Sequence, residues 1–360
     1  MTELSDLPIR DSLKGRTPYG APQLHVPIAL NVNENSHRIP EAVALDVVSR
    51  LAEAVLNINR YPDREFTELR KRLAKYLGHG LTENQLWAAN GSNEVIQQIF
   101  QAFGGPGRKA LGFKPTYSMY SLIALGADTD YVESERLARY EMTPDLIREA
   151  IAEHQPDIVM LCSPNNPTGT PLSLSCIEAA YDATNGIVVV DEAYAEFSHG
   201  AEDSAVSLLP GRPRLLVSRT MSKAFAFAGA RLGYLAADPA VIDALRLVRL
   251  PYHLSAFTQA AAEAALDHAP DMLATVADIQ VQRDRLLMEL AALGYDPYRS
   301  DSNFVLFGGV EDPNGMFEAL LARGILVRNV GIPNTLRVTA GTESETTTFL
   351  TALAELSHKG

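Results

Sequence analysis

Three short apolar runs constrain this chain more than any other feature: residues 157–162 (DIVMLC), 186–190 (GIVVV) and 214–217 (RLLV). None of them alternates polar with apolar. A strand with one face in water shows that alternation, whereas a continuous β-branched run is buried on both faces, as in a parallel sheet covered by helices. Parallel neighbours need long crossovers, and stretches of helical periodicity separate the runs. Residues 109–113 and 234–237 extend the series. The expected architecture is α/β, with a large, doubly wound, mostly parallel sheet. In such sheets ligands bind outside the carboxyl ends of the strands, so chemistry is expected in the residues just after each run.

A chain of 360 residues exceeds one ordinary core, so a second, smaller domain is expected. Residues 1–38 read as an arm with a strand-like stretch at 26–32. Residues 39–245 read as the large domain, with a helix starting at Pro40 and an amphipathic helix over 64–78 that ends on glycine. Residues 246–360 read as a helical link followed by a small α+β domain. Its strands are expected at 303–307, 325–328 and 335–339, and its helices at 314–323 and 344–356.

The formal net charge of −13 argues against nucleic acid or an anionic membrane as partner. A phosphate-bearing ligand would need a local positive pocket. No apolar run reaches membrane-spanning length, and the charged N-terminus has no signal-peptide core. The two cysteines, Cys162 and Cys176, read as buried packing thiols in a reducing compartment. A cytoplasmic protein acting on small molecules is expected.

The polar residues that follow the strands are unusual. After the 214–217 run comes Ser218-Arg219-Thr220-Met221-Ser222-Lys223, with Arg231 one short loop later. A lysine beside a buried strand is costly, and desolvation favours its neutral, nucleophilic amine. Asp191-Glu192-Ala193-Tyr194 follows the 186–190 run. A buried carboxylate there needs a strong donor: a salt bridge, a helix cap or the protonated nitrogen of a pyridine. Ser163-Pro164-Asn165-Asn166-Pro167-Thr168-Gly169 follows the 157–162 run and would aim Asn166 from a rigid loop. Gly91-Ser92-Asn93 opens a helix, either as a simple cap or as an anion site. Together these residues supply an amine, a buried carboxylate, a phenol, an aimed amide and an anion pocket. Pyridoxal 5'-phosphate needs that set.

The motifs at 163–169 (SPNNPTG), 191–194 (DEAY), 218–225 (SRTMSKAF) and 231–234 (RLGY) resemble those of the fold-type I aminotransferases of class I/II. The segments at 16–23 (RTPYGAPQ), 33–35 (NEN), 59–63 (NRYPD), 115–120 (PTYSMY) and 326–331 (LVRNVG) resemble the branch that acts on histidinol phosphate. The resemblance spans essentially the whole chain. It implies that Lys223 anchors the cofactor and moves a proton, and that Asp191 faces the pyridine nitrogen. Asn166 and Tyr194 would meet the phenolic oxygen, and Tyr117 would stack on the ring. Gly91, Ser92, Asn93, Thr220, Ser222 and Arg231 would hold the phosphate, with Tyr61 reaching that of a neighbouring subunit in a homodimer. Arg337 would bind the α-carboxylate of glutamate and Arg328 a second anion. Tyr19, Tyr120 and Tyr252, with Asn35 nearby, would wall the imidazole side. An aromatic amino acid aminotransferase is the closest alternative. A decarboxylase of a phosphorylated amino acid and a cofactor-sensing regulatory module are more distant ones.

Overall fold

The structure is a computed structural model that describes residues 4–18, 20, 22–200 and 204–357. Its strands are β1 (Ile28–Ala29), β2 (Leu86–Ala89), β3 (Lys109–Lys114), β4 (Asp130–Glu135), β5 (Ile158–Cys162), β6 (Ile187–Asp191), β7 (Leu215–Thr220), β8 (Gly233–Ala236), β9 (Asp296–Pro297), β10 (Phe304–Gly308), β11 (Ile325–Leu326) and β12 (Leu336–Thr339). The α-helices are α1 (Glu41–Leu56), α2 (Thr67–Leu77), α3 (Ser92–Phe103), α4 (Met119–Gly126), α5 (Pro144–His154), α6 (Leu174–Ala183), α7 (Pro239–Val248), α8 (Ala256–Asp267), α9 (Ala269–Leu273), α10 (Thr275–Ala292), α11 (Pro313–Leu321) and α12 (Glu343–Ser357).

The apolar runs form the middle of a seven-stranded sheet in the order β2-β8-β7-β6-β5-β3-β4. All neighbours from β7 to β4 are parallel, and β8 runs antiparallel to both β7 and β2. The valines of β6, Val188 to Val190, are fully buried. Burying each contributes about 1.5–3 kcal/mol, which drives the run into the middle of the sheet. Cys162 pairs with Asp191, and Asp191 with Ser218, so β5 and β6 end level while β7 runs two residues further, to Thr220.

Sequence patterning is weakest at the sheet edges. Strand β4 (DYVESE) has a half-exposed, charged pattern, and β2 (LWAA) is only four residues long. Edge strands carry polar residues because only one side of them is paired. The expected strand at 26–32 is reduced to β1, which among the described residues pairs only with β11. Pro27 just before it has no amide hydrogen to offer a ladder. Helix α2 starts at Thr67 rather than near 64. Asp63 accepts hydrogen bonds from the amides of Glu65 (2.9 Å) and Thr67 (3.1 Å), and Phe66 is left-handed at φ 37°. The helix ends at Gly78, where φ is 70°.

Two apolar cores result. The larger one runs in sequence from Val43 to Met272 and includes residues of α8 and α9. The packing of the larger core therefore extends through the link as far as Met272. The smaller core gathers α10 to α12 and β10 to β12. It also takes in Leu30, Tyr194, Phe197 and Ala224, so the arm and two strand-end loops reach across the seam.

Candidate active site

A cavity of about 1060 Å³ opens at the carboxyl ends of the central strands. One wall comes from residues 22–34 of the arm, and another from Leu326, Arg328 and Arg337 of the smaller core. Lys223, Arg231, Arg328 and Arg337 line it against Asp191 and Glu34, which gives a locally positive site in an acidic chain.

The turn after β7 fixes Lys223. The amide of Phe227 donates to the carbonyl of Met221 (3.1 Å) and that of Ala226 to the carbonyl of Lys223 (3.1 Å). Met221, Ala224 and Phe225 are buried beneath the turn, which leaves the lysine facing the cavity. Its Nζ donates to the carbonyl of Val32 at 2.9 Å. Burial, helped by the charge of Arg337, lowers the amine from 10.5 to about 8.

Asp191 ends β6 and is only 3% exposed. Burial raises its carboxyl from 3.8 to about 6, against the pull of a 2.6 Å hydrogen bond from the Tyr120 hydroxyl to Oδ2. Oδ1 has no hydrogen-bond partner among the described residues, although it is fully buried. Such an orphan is costly and marks a place kept for a donor.

Next to it, the Tyr194 hydroxyl accepts hydrogen bonds from Nδ2 of Asn33 (3.0 Å) and Nδ2 of Asn166 (3.3 Å). Burial pushes this phenol well above its usual range, so it stays protonated. Asn166 Oδ1 accepts from Arg337 Nη1 at 2.6 Å, and Arg337 Nη2 donates to the carbonyl of Asn31 at 2.7 Å. The loop that aims Asn166 is riveted by the buried Asn165. Its amide donates to Pro115 O (3.0 Å) and Thr168 Oγ1 (2.8 Å), and its Oδ1 accepts from Thr116 (2.9 Å).

The anion corner lies where α3 begins. A Cβ on Gly91, whose φ is 89°, would sit 2.6 Å from Arg231 Nη2. A Cβ on Gly233 would sit 2.1 Å from the amide nitrogen of Ser92. Glycine at both positions lets α3, β8 and the guanidinium converge. Ser92, Asn93, Thr220 and Ser222 face the same corner of the cavity. The Tyr117 hydroxyl donates to Asn93 Oδ1 at 3.2 Å, and the ring lines the cavity.

Three expected residues lie elsewhere, a fourth, Tyr61, is expected at a neighbouring subunit, and one falls outside the described residues. Tyr120 does not wall the cavity: it is fully buried behind it, turned inward by its bond to Asp191. Tyr252 does not line the cavity of its own chain. It sits on the surface, stacked on Tyr61 at 4.3 Å between ring centroids. Tyr61 itself is 79% exposed. Asn35 points under the Lys223 turn, donating to the carbonyl of Ala224 (3.3 Å) and to Thr275 (3.2 Å). Tyr19 lies outside the described residues. Asn33 and the carbonyl of Val32 were not anticipated. The NEN segment flagged the region, but only the fold shows that Asn33, left-handed at φ 58°, turns to Tyr194.

Comparison with known proteins agrees with this geometry. The aminotransferase class I and II family matches residues 26–353. A histidinol-phosphate aminotransferase of Paenarthrobacter aurescens (strain TC1) is 60% identical over 359 residues, covering 99% of this chain and 96% of the relative. One from Thermobifida fusca (strain YX) is 54% identical, covering 97% and 95%. Among solved structures, a histidinol-phosphate aminotransferase from Sinorhizobium meliloti in complex with pyridoxal-5'-phosphate superposes with a TM-score of 0.84 at 23% identity, covering 93% and 92%, and so shares the fold. A Thermus thermophilus aspartate aminotransferase with maleate gives 0.78 at 25% identity, covering 91% of each chain. The chain belongs to the class I and II aminotransferase family.

Proposed function

We propose that this protein is a pyridoxal-phosphate-dependent aminotransferase of histidine biosynthesis. It would move an amino group between glutamate and imidazole acetol phosphate, giving 2-oxoglutarate and histidinol phosphate. The observation that carries the reading is the buried, unpaired Oδ1 of Asp191 beside a lysine lowered to about 8. The relatives that are 60% and 54% identical support the choice of substrate.

The residues present fit the cofactor. Asp191 Oδ1 would hold the proton of the pyridine nitrogen, and Tyr194 and Asn166 would take the phenolic oxygen. Tyr117 would cover the ring. The start of α3, with Gly91, Ser92, Asn93, Thr220, Ser222 and Arg231, would cup the phosphate through backbone amides and the positive end of the helix. When bound, the cofactor supplies an electron sink for the substrate α-carbon. Lys223 would anchor it covalently and, once displaced by substrate, take the proton from the α-carbon and return it. A placed general base of this kind contributes about 10²–10⁴-fold. Arg337 would grip the α-carboxylate as a planar fork, and Arg328 the phosphate of histidinol phosphate or the distal carboxylate of glutamate.

A homodimer completes the reading. Leu45, Val48 and Val55 form an exposed apolar stripe on α1, 64%, 62% and 52% exposed. A second copy would cover it and would receive Tyr61, with Tyr252 stacked on it, beside its own phosphate corner. The reaction, on small phosphorylated substrates, would run in the cytoplasm.

The test is kcat/KM for histidinol phosphate and for phenylalanine, each with 2-oxoglutarate, on cofactor-loaded protein. A clear preference for histidinol phosphate supports the reading. Equal or better use of phenylalanine moves the protein to the aromatic group, and carbon dioxide release from a phosphorylated amino acid, without amino transfer, makes it a decarboxylase.

A further inference from the structure

Tyr120 is the one aromatic residue of the 115–120 segment that turns away from the cavity. It is fully buried on α4, and its ring meets Tyr117 edge-on, 5.5 Å between centroids at 84°. Its hydroxyl reaches Asp191 Oδ2 at 2.6 Å, a distance typical of a donor bound to a carboxylate. The other oxygen of that carboxylate has no partner among the described residues. One oxygen is thus tied from behind while the other is left open.

We propose that Tyr120 is a positioning residue: its hydroxyl fixes Asp191 through Oδ2, aims Oδ1 at the pyridine nitrogen, and keeps the shared proton on that nitrogen rather than on the carboxylate. The inference rests on the cofactor reading above and adds a residue to it. A carboxylate that receives a strong hydrogen bond is a weaker base. Without that bond, a buried Asp191 would take the proton itself, because burial already favours its neutral form. The ring nitrogen would then be a neutral acceptor and a poorer sink.

Among the described residues Tyr120 is the side chain that bonds the Asp191 carboxylate, and the backbone amide of Ala193 pulls in the same direction more weakly. Cys162, level with Asp191 on β5, is buried, and its thiol is pushed up to about 12, so it stays neutral. Glu192, next along the chain, repels charge on Asp191 but turns its own carboxylate to Arg219 and Ser204. Arg136 lies further back, donating to the carbonyl of Phe113 at 3.0 Å. The Tyr120 phenol is itself held well above its usual range by burial and by Asp191, so it keeps its proton and donates it toward the carboxylate.

The test is Tyr120→Phe, which removes the hydroxyl and keeps the ring. The readout is the ¹⁵N resonance of pyridoxal phosphate labelled at the ring nitrogen and bound to the protein at neutral pH. Wild type should show a protonated nitrogen, and the variant a resonance moved toward the unprotonated position. Losing a hydrogen bond to a charged group should lower kcat by roughly 10- to 100-fold, with KM for glutamate near wild type. A variant whose nitrogen stays protonated while only thermal stability falls would overturn the inference. If Tyr120→Phe does not fold, replacement by 3-fluorotyrosine, a stronger donor of nearly the same volume, should move the resonance further toward full protonation. No movement in that protein would equally overturn it. Failure of wild type to bind the cofactor would instead remove the reading on which the inference rests.

Discussion

Asp191 and Glu192 are neighbours in sequence, and each is 3% exposed, yet they face opposite situations. Glu192 is satisfied: it accepts from Arg219 at 2.8 Å, from Ser204 Oγ at 2.8 Å and from the amide of Ala205 at 2.6 Å. Arg219 also bonds Glu196 at 3.2 Å. Asp191 keeps one oxygen unpaired, and near it lies a lysine held far from its ordinary proton affinity. One side of the strand end closes its polar groups on the protein itself. The other leaves them open toward a cavity. The contrast separates residues that hold the fold from residues kept for chemistry, and it can be tested one side at a time.

The largest effect is expected on the open side. Lys223→Ala should cut turnover by at least about 10²–10⁴-fold, the share of a placed general base, while far-UV circular dichroism stays unchanged. Substantial turnover in the variant would break the assignment. On the closed side, Arg219→Met strands two buried carboxylates. It should cost about 3–5 kcal/mol in urea unfolding, because an uncompensated buried charge is left behind. A loss much smaller than that would mean the network is not the closed structure described. A smaller, pH-dependent effect sharpens the difference. The amine of Lys223 is lowered to about 8, so its neutral fraction rises through that pH and levels above it. The rate at which apoprotein captures pyridoxal phosphate covalently should follow the same curve. A rate still climbing toward the ordinary lysine value of 10.5 would show that burial does not tune it.

The two sides also differ in how far they were legible in the sequence. Central strands announce themselves because both faces are buried, which is why residues 157–162, 186–190 and 214–217 placed β5, β6 and β7. The edges β2 and β4 did not, since half-paired strands tolerate short or charged sequences. The open residues Lys223, Asp191, Asn166 and Tyr194 stood out as polar groups in apolar settings. Their supports did not. Asn165 and Asn33 act through contacts between segments far apart in the chain, and nothing in local spacing records those contacts. Tyr120 shows the limit most clearly. It sits three residues after Tyr117, in the first turn of α4, whereas Tyr117 precedes the helix and lines the cavity. Choosing between them required the position of Asp191.

The most direct measurement is urea unfolding of Asp191→Asn against wild type, each with and without pyridoxal phosphate. Burial raises the Asp191 carboxyl from 3.8 to about 6. A raised carboxyl makes its charge a cost to the fold that is present above the folded value and gone below the unfolded one. At 1.36 kcal/mol per unit, that cost at neutral pH is on the order of 3 kcal/mol. The account predicts that the apo variant is at least as stable as wild type, and that added cofactor stabilises it much less than it stabilises wild type. An apo variant clearly less stable than wild type, or one stabilised equally by the cofactor, would contradict the claim that Asp191 is held open for the ligand.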